Sequence, residues 1–180
     1  HNIRRDNPHC WDPIMENWAA KQNFSHAINA LFTDIKPICK HFDKSEIYVI
    51  SSIYKRLAFM QNLGWHDRSF LDSIFTAEER HAIYKYETYR LFCIFSGTSL
   101  PDSNKYFATM HLLVDDIVKH ADLAIEGKNS ASADLRFGHD YYLLGLLATT
   151  NFNEIRMDCD YKDVDKLAEE WRGHQFMTMA

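Results

Sequence analysis

The chain has 180 residues, 46% of them hydrophobic, enough for one ordinary core or for one main core with a small second lobe. Its 25 acidic and 20 basic residues leave a formal charge of −5, and no Lys/Arg cluster is dense enough to follow a phosphate backbone, so nucleic acid is not an expected partner. The longest apolar stretch, residues 143–148 with Gly145 inside it, falls far short of the roughly 20 residues a membrane-crossing helix needs, so no span is expected.

In chain order, Asp12-Pro13 sets an N-cap candidate before a proline suited to the first helical position. Ile14, Met15 and Trp18 follow at helical spacing and predict a short helix. Phe24, Ala27, Ile28 and Leu31 form a second apolar stripe that leads to Pro37. Asp43 with Glu46 three residues later reads as a capping box, opening a long amphipathic helix marked by Ile47, Ile50, Tyr54, Leu57 and Leu63 and ended by Gly64. Thr76-Ala77-Glu78-Glu79 repeats the device ahead of a helix with Ile83, Tyr86, Leu91 and Phe95 that closes at Gly97. A loop with Pro101 follows, and then a helix with Phe107, Met110, Leu113, Ile117, Ala121 and Ala124 that ends at Gly127. Residues 12–126 thus read as nearly all helix. The polar, small-residue run GKNSASAD at 127–134 is the expected lobe boundary.

Beyond it, Leu135, Arg136 and Phe137 alternate as a short strand does, and Gly138 permits a tight backbone before His139-Asp140. The following helix is apolar nearly all round, a pattern that predicts burial. His139 and Asp140 would then stand where a strand meets a helix N-terminus, whose orphan N–H groups and dipole favour an anion such as phosphate. On pattern alone, a capping role for Asp140 and a carbonyl partner for His139 explain the pair equally simply.

Other constellations point to structure. Cys10, Cys39, Cys93 and Cys159 lack C-x-x-C spacing, which leaves buried or unpaired thiols and disulfides both open. His111, Asp115 and Asp116 have helical spacing for a metal but no second histidine on the same face, so surface pairing is expected and no metal. DCDYKDVD at 158–165 lacks the glycine and final glutamate of a calcium loop and reads as a loop leading into a helix.

Over a longer span, ADLRFGHD, reached from a helix ending IVKHADLAIEG, resembles the C-terminal signature of the histidine acid phosphatases. The likeness is to the multiple inositol polyphosphate phosphatase (phytase) branch of gut Bacteroidetes. LAFMQNLG, FTAEERHAIYKYETYRLF and FSGTSLPDSNKYFATMHLLVDDIV resemble the same branch in the same order, so that most of residues 30–180 is covered. The resemblance implies a mainly α chain: a helical cap lobe over residues 1–127, and residues 128–180 as a short piece of an α/β core. It implies that His139 binds phosphate and stabilises transition-state charge, and that Asp140 protonates the departing alcohol. Those residue types suit that chemistry, which favours acid over neutral pH. It also implies a small phosphate ester as partner, no cofactor, and a periplasmic or secreted parent protein. In the cap lobe, Lys55, Arg56, Arg68, Lys85 and Arg90 are the basic side chains available to face a polyanionic substrate.

The chain departs from that family in one decisive place. No R-H-G-x-R-x-P nucleophile motif occurs: Arg4-Arg5, His9-Cys10 and Arg80-His81 are the nearest and none matches. GHQFMTMA at 173–180 resembles only the beginning of a core strand. The expectation is therefore a segment of a phosphatase whose phosphohistidine nucleophile lies outside these residues, inactive alone. The alternative is a non-catalytic helical binding or structural module in which the G-H-D run is merely a junction.

Overall fold

The computed structural model describes residues 10, 12–97, 99–101, 104–129, 131, 133–150 and 159–173. They fall into two units, Asp12–Glu87 and a second made chiefly of the chain from Thr88 on, with one helix running through the boundary.

The unit Asp12–Glu87 contains α1 (Asp12–Ala19), α2 (Ser25–Leu31), α3 (Lys36–Phe42), α4 (Glu46–Asn62), α5 (Arg68–Ile74) and most of α6 (Ala77–Leu91). Met15 and Trp18, three residues apart on α1, are both buried, as an amphipathic face requires. α4 ends where expected: Gly64 has φ +75°, the left-handed conformation that closes a helix and that glycine adopts without strain. The Thr76–Glu79 box forms in full. The Glu79 N–H donates to Thr76 Oγ1 at 3.2 Å and the Thr76 N–H donates to Glu79 Oε2 at 3.0 Å. Glu79 Oε1 also accepts the Ala27 N–H at 3.0 Å, so one buried carboxylate both caps α6 and binds it to α2. α5 packs against α2 and α4, and the fully buried Phe75 meets Tyr54 edge-on with ring centroids 5.1 Å apart.

Two short helices here were not expected from the pattern, and one explains a misreading. Pro37 opens α3 rather than ending what precedes it, because a proline in the first turn lacks only an N–H that has no helical partner there. Asp43 then sits at the C-cap of α3 with φ 51° and donates its N–H back to the Lys40 carbonyl. Ser45, not Asp43, holds the N-cap of α4, so the Asp43–Glu46 capping box is corrected: Asp43 closes one helix instead of opening the next. α5 begins at Asp67, whose side chain accepts the Phe70 N–H at 3.3 Å.

In the second unit, α6 runs on into a π-helical turn over Phe92–Ser96, and Gly97 follows. A Cβ at Gly97 would come within 2.2 Å of Leu100 Cδ1, so glycine lets Leu100 pack closely on this return of the chain. α7 (Asn104–Ile125) and α8 (Asp140–Thr149) pack on each other and on the π turn, and α9 (Val164–Glu170) follows. Gly145 allows the approach of α8 to α7, since a Cβ there would lie 2.9 Å from Met110 Cγ. The acidic run at 159–163 is a turn leading into α9, which Asp163 caps by accepting the Lys166 N–H at 3.0 Å. Trp171 at the end of α9 is fully buried, edge-on to Phe92 at 5.7 Å. Tyr89 Oη donates to the Tyr161 carbonyl and Ser99 Oγ to the Cys159 carbonyl, both at 2.7 Å. Burial pushes the Tyr89 hydroxyl well above its ordinary pKa, with the neighbouring Cys93 adding to the shift, so it remains a donor across the physiological range.

The fold is mainly helical, as expected. The short strand is not seen: residues 133–139 are neither helix nor strand, and there is no strand among the described residues. A strand is stabilised by a neighbouring strand, and Leu135 and Phe137, instead of packing, are 75% and 93% exposed. The α/β core piece thus does not form within the described residues, and 174–180, where a further strand was expected, lie outside them. α8 also differs from expectation. Leu144 and Ala148 are buried, but Tyr142 and Leu143 are exposed, so one side of this all-round apolar helix is open. None of the four cysteines forms a disulfide. Among the described residues no helix is long and apolar enough to cross a membrane.

Candidate functional site

His139 occupies the N-cap of α8 with extended backbone, φ −83° and ψ 158°, and its imidazole makes no capping hydrogen bond to the helix. The cap position therefore belongs to His139 and not to Asp140, which is the first helical residue. The Asp140 side chain lies outside the described parts of the structure. The His139 carbonyl accepts the Tyr142 N–H at 3.0 Å, which winds the first turn, and the imidazole is exposed. It lines an open cleft of about 630 Å³ whose other walls are Leu113 and Ile117 of α7, Arg136 and Phe137 of the preceding segment, and Tyr142 and Leu146 of α8. An imidazole beside the first turn of a ten-residue helix can donate to an anion at the positive end of the helix dipole.

The segment that delivers His139 is held to α7 by one guanidinium. Arg136 Nη1 donates to the Asp116 carboxylate, and Nη2 donates to Asp134 Oδ2 at 2.8 Å. Asp116 Oδ1 also lies 3.4 Å from His120 Nδ1, which donates to the Asp116 carbonyl at 2.8 Å. The hydrogen bond from Arg136 holds the Asp116 carboxyl below the usual carboxylate range, and Asp116 in turn raises the Arg136 pKa. Asp116 is thus engaged by Arg136 and His120. Among the described residues no group of three or more His, Cys, Asp or Glu side chains is placed to hold a metal ion.

Within the unit Asp12–Glu87, Arg56 and Arg68 line separate clefts. Arg56 lines a shallow cleft of about 500 Å³ on α4 with Ser52, Lys55 and Phe59. Lys55 reaches Glu87 Oε1 at 2.8 Å, and Ser51 Oγ donates to the same carboxylate. Arg68 lines a different cleft and lies 3.8 Å from Asp72, which also receives Arg80 Nη1. Lys85 and Arg90 are half-buried along α6 and line neither cleft. Lys55, Arg56, Arg68 and Lys85 belong to the unit Asp12–Glu87, whereas Arg90 and His139 belong to the other.

The residue that the sequence pattern did not single out is Arg136. A lone arginine between two large apolar residues, two positions after an aspartate, is its only local signal; its partner Asp116 lies 20 residues upstream. Comparison with known proteins finds no matching family model, no matching curated protein and no matching solved structure.

Proposed function

We propose that this chain is a segment of a histidine-type acid phosphatase that hydrolyses phosphomonoesters through a phosphohistidine whose nucleophile lies outside these residues. Inositol polyphosphates are the substrate class that the resemblance of ADLRFGHD and its neighbouring segments implies. The observation that supports this reading most directly is His139 itself: an exposed imidazole at the N-cap of a ten-residue helix, beside an open cleft, with no capping bond to that helix. In this proposal His139 donates to the phosphoryl oxygens and Asp140 protonates the leaving alkoxide, so that turnover is favoured at acid pH. Arg56, Arg68, Lys85 and Arg90 are weaker candidates for substrate contacts; Arg56 and Arg68 line separate clefts. The partner is a small phosphate ester, no cofactor is involved, and the parent protein is periplasmic or secreted.

One observation favours a second reading, a non-catalytic helical module: residues 133–139 have no sheet beside them among the described residues. Release of phosphate from phytate by the longer protein carrying this segment separates the two. Asp140→Asn and His139→Ala should each lower kcat by about 10²-fold or more, the usual scale for removing a general acid or a charge-stabilising donor. Undiminished turnover in both variants would favour the helical module.

A further inference from the structure

We propose that Arg136 is a positioning residue for His139: by bridging Asp116 of α7 and Asp134 of its own segment, it holds residues 133–139 on α7 and sets where His139 stands at the start of α8. The phosphate role of His139 in this proposal rests on the functional reading above; the clasp does not.

Residues 133–139 have no helical or sheet hydrogen bonding of their own, and the side chains flanking Arg136 give little anchorage, Leu135 being 75% and Phe137 93% exposed. Arg136, by contrast, is anchored by its contacts. Its side chain is 31% exposed, with one nitrogen on Asp116 and the other on the Asp134 carboxylate at 2.8 Å, so a single planar group ties the segment to the helix and to a side chain of the segment itself. Only two residues separate Arg136 from His139, and both Arg136 and His139 line the same cleft. Over so short a tether, a shift of the arginine by a few ångströms carries the imidazole with it. Arginine suits this position because its guanidinium holds its donors in a rigid planar fork, whereas a lysine ammonium on a flexible stem fixes the direction of neither contact.

The clasp is tested by chymotrypsin cleavage after Phe137, with sites mapped by mass, in the wild type, Arg136→Gln, Asp116→Asn and the double variant, alongside each protein's urea midpoint. Each single variant should raise the cleavage rate about fivefold with no more than a small fall in the midpoint, as an exposed ion pair allows, and the double variant no more than the faster single, since both remove the same contact. Unchanged rates, or effects that multiply in the double variant, overturn the clasp. Positioning is tested by following the His139 ring signals by NMR during titration with inorganic phosphate. Arg136→Gln should need several-fold more phosphate than the wild type to reach half-saturation, with Arg136→Lys in between. Equal titrations in wild type and Arg136→Gln overturn the positioning role. A wild-type His139 that does not respond to phosphate overturns the phosphate reading instead, and the clasp is then decided by the cleavage rates.

Discussion

Residues 67–79 and residues 133–149 carry similar local instructions and meet different fates. Each contains a polar residue ahead of a helix and a phenylalanine just before it. In the first, Asp67 caps α5, the Thr76–Glu79 box opens α6, and Phe75 between them is fully buried against Tyr54. In the second, His139 takes the cap position without a capping bond, Phe137 is 93% exposed, and α8 leaves Tyr142 and Leu143 in the open. The difference teaches that apolar pattern encodes a tendency to be buried, whereas burial itself needs a neighbour that the segment cannot supply. A helix makes its own backbone bonds and presents a ready face. A strand makes its ladder bonds only with another strand.

Substitutions should widen or narrow that contrast in order of burial. Phe75→Ala, which empties a fully buried site, should cost about 3–5 kcal/mol in a urea titration. Glu79→Ala should cost about 2–3 kcal/mol, because it strands the buried Ala27 N–H and opens the α6 cap together; Glu79→Gln, which keeps one acceptor, should recover part of this. Removing the α9 cap with Asp163→Ala should cost about 1 kcal/mol by the same measurement. Phe137→Ser, the counterpart of the first substitution, should change stability by less than about 0.5 kcal/mol. A loss comparable to that of Phe75→Ala would show that Phe137 is buried in solution and would erase the contrast.

Acid pH sharpens the comparison at the level of charge: Asp67 and Glu78 in the first region are exposed carboxylates with depressed pKa, and the second region is tied to another, Asp116 of α7. The Ser69 hydroxyl, followed by the Phe70 N–H, lowers the Asp67 pKa, and the hydrogen bond from Arg136 lowers that of Asp116. A carboxylate with a depressed folded pKa stabilises the fold above its unfolded value of about 3.9, and the contribution fades as pH falls through the lowered folded value. Urea midpoints measured from pH 6 down to pH 2 should therefore fall in the wild type below about pH 4, and less steeply in Asp67→Asn and Asp116→Asn. An unaltered slope in either variant would show that its carboxylate is not held as described.

Much of the helical part was legible. The spacing of Met15 with Trp18, the stop at Gly64 and the Thr76–Glu79 box are contacts among residues at most four positions apart or conformations of a single residue. The misreadings arose where two local rules competed. Pro37 suits both the end of one segment and the first turn of the next, and Asp43 suits both an N-cap and a left-handed C-cap; only the existence of α3 decides between them. In the candidate site, the sequence pattern located His139 at a helix start, left open a cap role for Asp140 that the structure gives to His139, and passed over Arg136.

What the sequence by itself determined is therefore the mainly helical character, most helix ends and the place of His139 at the head of α8. These follow from backbone hydrogen bonds and side chains within a turn or two of chain. The tertiary structure alone decided that Glu79 binds α2, that Arg136 reaches Asp116, that Gly145 must be small to meet Met110, and that Leu135 and Phe137 stay uncovered. Each of these depends on residues many positions apart being brought within contact distance, or failing to be. No local pattern carries that information, because the free energy of such contacts resides in the pair.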